Sequence, residues 1–253
     1  LPWGVNPLFF IFTRVNYTIK HIAGILGGEW LRFRGDDVVG HLLLDSRRLV
    51  FPASSLFFAL RGPRRDGSAY LEELYKRGVR NFVVEAAGAA PVEAAPMEAV
   101  VEVQAVAGGM QVVAGAMPEA NIIVVGDTLA ALQRLAAWHR AQFAIPVIAI
   151  TGSNGKTIVK EWLNELLEAD FSVVRSPKSY NSQIGVPLSV WELDAGHQLA
   201  IFEAGISRPG EMERLEAVIR PTIGIFTTIG EAHSEGFASR TAKAAEKLKL
   251  FKE

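Results

Sequence analysis

From Thr18 to Leu26 the apolar residues Ile19, Ile22, Ala23 and Leu26 recur at helical spacing, and Gly27 and Gly28 follow them, so the first regular element is a short helix with a glycine stop. Three β-rich runs come next, at Leu42–Leu44, Leu56–Leu60 and Asn81–Val84. Between the last two lies the helical pattern Tyr70, Leu71, Leu74, Tyr75, ended by Gly78. Residues 86–120 are rich in Ala, Val, Gly and Pro without a clear period, apart from a strand-like stretch at Ala99–Val103, and read as a surface excursion. Ile122–Val125 is again strand-like. After Asp127 or Thr128 as cap, a helix runs through Leu129, Leu132, Leu135 and Ala136 toward Gln142, and it is the candidate connector between two domains.

The second half is more regular. Strand-like runs at Val147–Ile150, Phe171–Val174, Leu199–Phe202 and Ile223–Phe226 alternate with helical patterns at Thr157–Leu167, Val186–Leu193 and Glu211–Ile219. In the first of these helices Ile158, Trp162, Leu163, Leu166 and Leu167 are expected to share one face. Alternating strands and helices imply a parallel sheet, whose ligands bind beyond the carboxyl ends of the strands. The fold class is therefore α/β: a small N-terminal α/β domain followed by a partial parallel-sheet domain, with a tail at 1–16, a first domain at 17–127 and a second at 128–253 that stops short at its C-terminus.

Length and charge narrow the classes. A chain of 253 residues suits two small domains or one large one, and it can bury enough surface to need no staple. Its lack of cysteine excludes thiolate metal sites, cysteine nucleophiles and disulfides, which leaves a cytoplasmic enzyme as the natural reading. With 26 Lys+Arg against 27 Asp+Glu there is no global field to attract nucleic acid or anionic lipid, so any anion site is local. The longest early apolar stretch, Leu8–Phe12, is too short to span a membrane and lacks the flanks of a signal peptide. Leu1 in place of Met, and an end at Phe251-Lys252-Glu253 without a helix stop, suggest a piece of a longer protein.

The strongest chemical signal follows the Val147–Ile150 run. Thr151-Gly152-Ser153-Asn154-Gly155-Lys156-Thr157 joins a strand to a helix as a phosphate-binding loop. Its glycines let backbone N–H groups turn toward phosphate oxygens, and the helix N-terminus adds positive partial charge. Gly152, Ser153, Asn154 and Gly155 would cradle the anion, Lys156 would reach the β and γ phosphates, and the Thr157 hydroxyl would meet Mg²⁺. Only Ser153 and Asn154 separate the first glycine from the Gly-Lys pair, where the usual pattern has four residues. Lys178–Gln183, Glu203 and His233 fall at the ends of the other strands and converge on the same rim.

The shortened loop resembles that of the Mur ligases, the ATP-dependent amide-forming enzymes of peptidoglycan synthesis. Tyr180-Asn181-Ser182-Gln183 through Leu188, Glu203-Ala204-Gly205 through Glu211, and Ile229 through His233 with Glu235-Gly236-Phe237 resemble further segments of the family. In the first domain Asp45-Ser46-Arg47, Leu56–Leu60 and Asp66-Gly67 resemble its uridine-nucleotide-binding domain. Within the family the likeness is to the branch that joins D-alanyl-D-alanine to UDP-N-acetylmuramoyl-tripeptide, and Val159–Leu163 with Ser179–Gln183 look closest to a version fused to an alanine racemase, a domain that would lie outside this chain.

The resemblance implies that ATP phosphorylates the substrate carboxylate and that an amine then attacks the acyl phosphate. It implies ATP and Mg²⁺ as cofactors, and Lys156, His233 and Lys247 as catalytic positions. Thr157, Glu203, His233 and Lys247 would serve the metal, Lys247 as a carbamate, with Lys249 standing where the family has an acidic residue. Ser46, Arg47, Asn181 and Gln183 would contact substrate, and Asp45 would hold its turn. No nucleic-acid or membrane partner is implied. The chain alone is expected to hold phosphates and metal without completing ligation. A reading from another class, a P-loop switch or partitioning module, would not need the signatures of the first domain.

Overall fold

The computed structural model describes residues 16–62, 66–86, 115–230 and 236–251. The expected strand at 99–103, most of the 1–16 tail and His233 lie outside the described residues. The chain opens with β1 (Tyr17–Thr18) and α1 (Ile19–Leu26), which is capped by the Thr18 hydroxyl and closed by Gly27. Next come β2 (Glu29–Arg32), β3 (Val38–Val39), β4 (His41–Leu43), β5 (Ser55–Phe58), α2 (Leu71–Lys76), β6 (Asn81–Glu85) and β7 (Asn121–Val125). They form a five-stranded sheet in the order β2-β7-β6-β5-β4, in which β4 to β7 run parallel and β2 lies antiparallel to β7. β1 and β3 pair separately. The central strands are apolar on both faces because both are covered. Leu56, Phe58, Val83 and Ile123 pack toward α1, while Phe57, Phe82, Val84 and Ile122 pack toward α2.

α3 (Thr128–Arg140), capped by Asp127, leads into the second sheet. Its Leu132 and Leu135 belong to the first core, its Ala136 and Ala137 to the second, so this helix is a shared wall between the two. The buried His139 strengthens the joint. Its Nε2 lies 3.0 Å from the Leu193 carbonyl, which can only accept, so Nε2 carries the hydrogen and Nδ1 accepts from the Tyr17 hydroxyl at 2.9 Å. Burial pulls His139 down to about 4 and pushes Tyr17 up to about 12.

The second sheet contains β8 (Val147–Thr151), β9 (Val173–Arg175), β10 (Leu199–Glu203) and β11 (Ile223–Phe226), all parallel, in the order β11-β8-β10-β9. Its helices are α4 (Lys156–Leu167), α5 (Gly185–Trp191), α6 (Glu211–Ile219) and α7 (Arg240–Leu248). α5 and α6 pack with α3 on one face and α4 covers the other.

The expected apolar face of α4 needs correcting. Leu163 and Leu167 pack on the sheet with Val159, but Ile158, Trp162 (65% exposed) and Leu166 (73%) point outward. The fully buried position is Lys160, whose ammonium pairs with the buried Glu203 at 3.0 Å.

Candidate phosphate and substrate site

β8 ends at Thr151 and the chain turns at once into the loop. Gly152 has φ 141°, and Gly155, the residue before α4, has φ 81°, both conformations that glycine adopts without strain. The loop is pinned to the segment after β11: Ser153 N donates to Thr228 O at 2.8 Å, and the Thr227 hydroxyl donates to Asn154 O at 2.6 Å. Because Gly155 offers no side chain to cap α4, the first-turn amides keep their hydrogen-bonding capacity for a ligand.

Three lysines converge on this loop. Lys156 Nζ donates to Gly152 O at 3.0 Å, Lys247 Nζ to the same carbonyl at 3.2 Å, and Lys243 Nζ to Gly230 O at 2.6 Å. Burial, opposed by Glu203 and helped by Lys243, lowers Lys156 below the ordinary lysine value. Burial, with Lys156 and Lys243 adding to it, pulls Lys247 down to about 8. Such a cluster is costly without an anion and matched to one that carries several charges. α7 is held in place by Glu246, whose Oε1 accepts from Gly210 N at 2.7 Å and Met212 N at 3.3 Å at the start of α6. Lys249 pairs with Glu246 at 2.7 Å and Glu213 at 3.2 Å, so its charge is spent on this docking.

Glu203, fully buried at the end of β10, faces the loop. Its Oε2 accepts from Thr157 Oγ1 at 3.1 Å and from Asn181 Nδ2 at 3.3 Å. Its Oε1 forms an ion pair with Lys160 Nζ at 3.0 Å. A buried carboxylate whose Oε2 meets a threonine hydroxyl and an asparagine side chain is a set of hard oxygen donors that fits Mg²⁺. No group of three or more His, Asp or Glu side chains converges as a metal site among the described residues.

Tyr180 and Ser182, the chain neighbours of Asn181, line a second feature. A cleft of about 900 Å³ lies between the two sheets, where β4 and the turn after it face β9 and the segment from Pro177 to Gly185. β4 and β9 are edge strands of their sheets. Consecutive residues of each, His41–Leu43 and Val173–Arg175, line the cleft, as expected when the edge of a strand rather than one face looks into it. Trp191 Nε1 donates to Gly40 O at 3.2 Å across the joint, and the Arg48 guanidinium lies 5.6 Å from the centre of the Tyr180 ring.

The expected substrate residues are spread unevenly. Asn181 donates to Glu203 beside the loop, between the cleft-lining Tyr180 and Ser182. Gln183 is engaged in packing, its Nε2 donating to Glu211 O at 3.0 Å while its Oε1 accepts from Gln133. Ser46 is buried, with its carbonyl bound by Arg77. Arg47 is exposed and pairs with Asp45 at 2.6 Å, and the hydrogen bonds it donates pull Asp45 down to about 2. Tyr180 lies within the Lys178–Gln183 segment expected on the rim, whereas Arg48 and Lys160 were not among the sequence candidates. Arg48 directly follows the Ser-Arg pair, so adjacency was the available signal for it.

Loop, parallel sheet and cleft together define an α/β protein of the phosphate-loop class. Residues 150–253 match the Mur ligase middle domain, and the chain belongs to the Mur ligase family. It is 33% identical over 230 residues to the UDP-N-acetylmuramoyl-tripeptide--D-alanyl-D-alanine ligase of Treponema pallidum, a match covering 90% of this chain and 46% of that protein. Among solved structures it is similar to MurF from Acinetobacter baumannii, with TM-score 0.75, 26% identity, and coverage of 93% of this chain and 46% of that one. It also resembles the MurF ligase from Thermotoga maritima in complex with ADP, with TM-score 0.63, 25% identity, and coverage of 83% and 42%. The chain thus spans about half the length of the relatives it matches.

Proposed function

We propose that this chain forms the uridine-nucleotide-binding and ATP-binding portions of a ligase that adds D-alanyl-D-alanine to UDP-N-acetylmuramoyl-tripeptide in peptidoglycan synthesis. The observation that carries the reading is continuity: Tyr180 and Ser182 line the inter-sheet cleft, and Asn181 between them donates to Glu203 Oε2, which also accepts from Thr157 of the phosphate loop. A substrate whose nucleotide end is held by the first domain, residues 17–127, could then extend its peptide carboxylate through the cleft to the γ-phosphate of ATP held by residues 128–253. Nothing in the site favours a conformational switch instead.

In this reading the carboxylate oxygen attacks the γ-phosphorus, ADP leaves, and the amine of the incoming dipeptide attacks the acyl phosphate carbon and expels phosphate. Lys156 would swing from the Gly152 carbonyl to the phosphate oxygens, and the loop amides would hold them in place. Thr157 and Glu203 would hold Mg²⁺, which supplies charge neutralisation on the phosphates. His233 would add a further ligand, as the family resemblance implies. Lys247 would carry the carbamate, whose negative charge would sit beside Lys156 and Lys243 in place of a third cation. The chain's contribution is positioning and charge balance rather than proton transfer.

Lys156→Ala should weaken ATP binding by about 1.5–3 kcal/mol, the worth of a hydrogen bond to a charged group, or roughly tenfold to a hundredfold. Unchanged ATP affinity in titration calorimetry of the folded variant would sink the assignment of the loop.

A further inference from the structure

Lysine is rarely buried completely, and a buried one needs partners for its charge and its three donors. Lys160 lies one turn after Lys156 on α4 with no exposed surface. Its ammonium donates to Ser176 O at 2.8 Å and to Lys178 O, and it forms ion pairs at 3.0 Å with Glu203 Oε1 and Glu161 Oε1. Lys160 and these partners join three separate elements of the site. Ser176 and Lys178 belong to the segment between β9 and Asn181, Glu203 closes β10, and Lys160 itself belongs to the helix that starts at the phosphate loop. Lys178 also has φ 52°, a left-handed conformation that a non-glycine residue keeps only when its surroundings enforce it.

We infer that Lys160 is a positioning residue for the metal end of the phosphate site, presetting Glu203 and the Asn181 turn through its buried ammonium. The geometry gives the role its content. An ammonium on the Oε1 side of Glu203 leaves Oε2 turned to Thr157 and Asn181, while the bonds to Ser176 and Lys178 hold the turn that delivers Asn181. Ser176 reinforces the same arrangement, its hydroxyl accepting from Glu203 N at 3.2 Å. A carboxylate fixed in this way pays no reorientation cost when a cation arrives, and partners of this kind are worth roughly tenfold to a hundredfold in metal affinity. The inference rests on the proposed reading of the loop as a Mg²⁺-nucleotide site.

Lys160→Met keeps the length of the side chain and removes its charge. ADP affinity is measured by calorimetry in EDTA and in Mg²⁺, and the ratio of the two gives the metal-dependent increment. Positioning predicts that Lys160→Met lowers this increment about tenfold while ADP affinity in EDTA stays within about threefold. It also predicts that Glu203→Gln removes the same increment and that Lys160→Met adds nothing further on that background. A folded Lys160→Met chain with the wild-type increment, or with equal losses in EDTA and Mg²⁺, overturns the proposal. Lys160→Gln, which can still donate a hydrogen bond, is the second variant and carries the same expectations. Should both single variants fail to fold while the charge-balanced Lys160→Met/Glu203→Gln chain folds, the role is one of stability alone and the proposal falls. Absence of any increment in the wild-type chain overturns the reading of the loop itself, and this inference with it.

Discussion

Gly152→Ala separates two reasons for a glycine in the loop, backbone conformation and close approach. At φ 141° an L-residue is strained, and a Cβ built there would sit 2.0 Å from Thr227 Oγ1 and 3.1 Å from Thr228 N and O. Thr227 must therefore move, giving up its 2.6 Å bond to Asn154 O. Backbone strain of about 1–3 kcal/mol and a lost hydrogen bond of about 1 kcal/mol sum to roughly 2–4 kcal/mol. Gly155→Ala is the control: its φ of 81° is also left-handed, but the nearest atom to the new Cβ is Thr227 Cβ at 4.0 Å. It should cost only the strain, about 1–2 kcal/mol. Urea denaturation of the two variants reads the difference directly, since such losses are a visible part of the stability of a domain. Adding Thr227→Ala should be less harmful in the Gly152→Ala background than in the wild type, by about 1 kcal/mol, because the clash disappears with the hydroxyl. If Gly152→Ala costs no more than Gly155→Ala, or if the Thr227 effect is additive, the close approach of loop and β11 extension is not what Gly152 serves.

His139 supplies a pH dependence. Its folded value of about 4 lies below the unfolded value near 6.5, so the folded state binds fewer protons, and stability is lost as pH falls from about 6.5 through 4, by about 3 kcal/mol in all. His139→Gln should flatten that part of the urea-midpoint profile, and an unchanged slope would refute the assignment. At the cleft, Arg48→Ala should weaken UDP-N-acetylmuramoyl-tripeptide binding about tenfold or more, the value of a lost charged hydrogen bond. Arg47→Ala, at a solvent-exposed pair, should change it by less than about threefold, and the reverse order of effects would return the substrate role to Arg47.

The parts legible in the sequence are those where local pattern and burial agree. β6 and β7 read as continuous apolar runs because both faces of the sheet are covered, and the phosphate loop was readable from its glycines between a strand and a helix. β1, β3 and β2 were missed: the first two contain two residues each, and β2 is a half-buried edge with Glu29 and Arg32 at its ends. The run at Phe171–Val174 was recognised, but β9 begins two residues later, at Val173, with Phe171 exposed before it. The rotation of α4 was legible only in part, since Leu163 and Leu167 face the sheet as expected while Ile158, Trp162 and Leu166 do not. Its buried Lys160 pairs with Glu203, a partner more than forty residues away that no periodicity encodes. The same limit hid Arg48, because only the packing of the two sheets decides which of two adjacent arginines faces the cleft.

In the proposed reading the first sheet, the cleft and the phosphate loop form one ligase site with two ligands. Calorimetric titration of UDP-N-acetylmuramoyl-tripeptide against UDP alone, into the wild-type and Lys156→Ala chains, tests it most directly. The muramoyl peptide should bind more tightly than UDP, because the cleft adds contacts beyond the nucleotide, and Lys156→Ala should leave this binding intact while ATP binding falls. Equal affinity for UDP and the muramoyl peptide, or no binding of either by a folded chain, would contradict it.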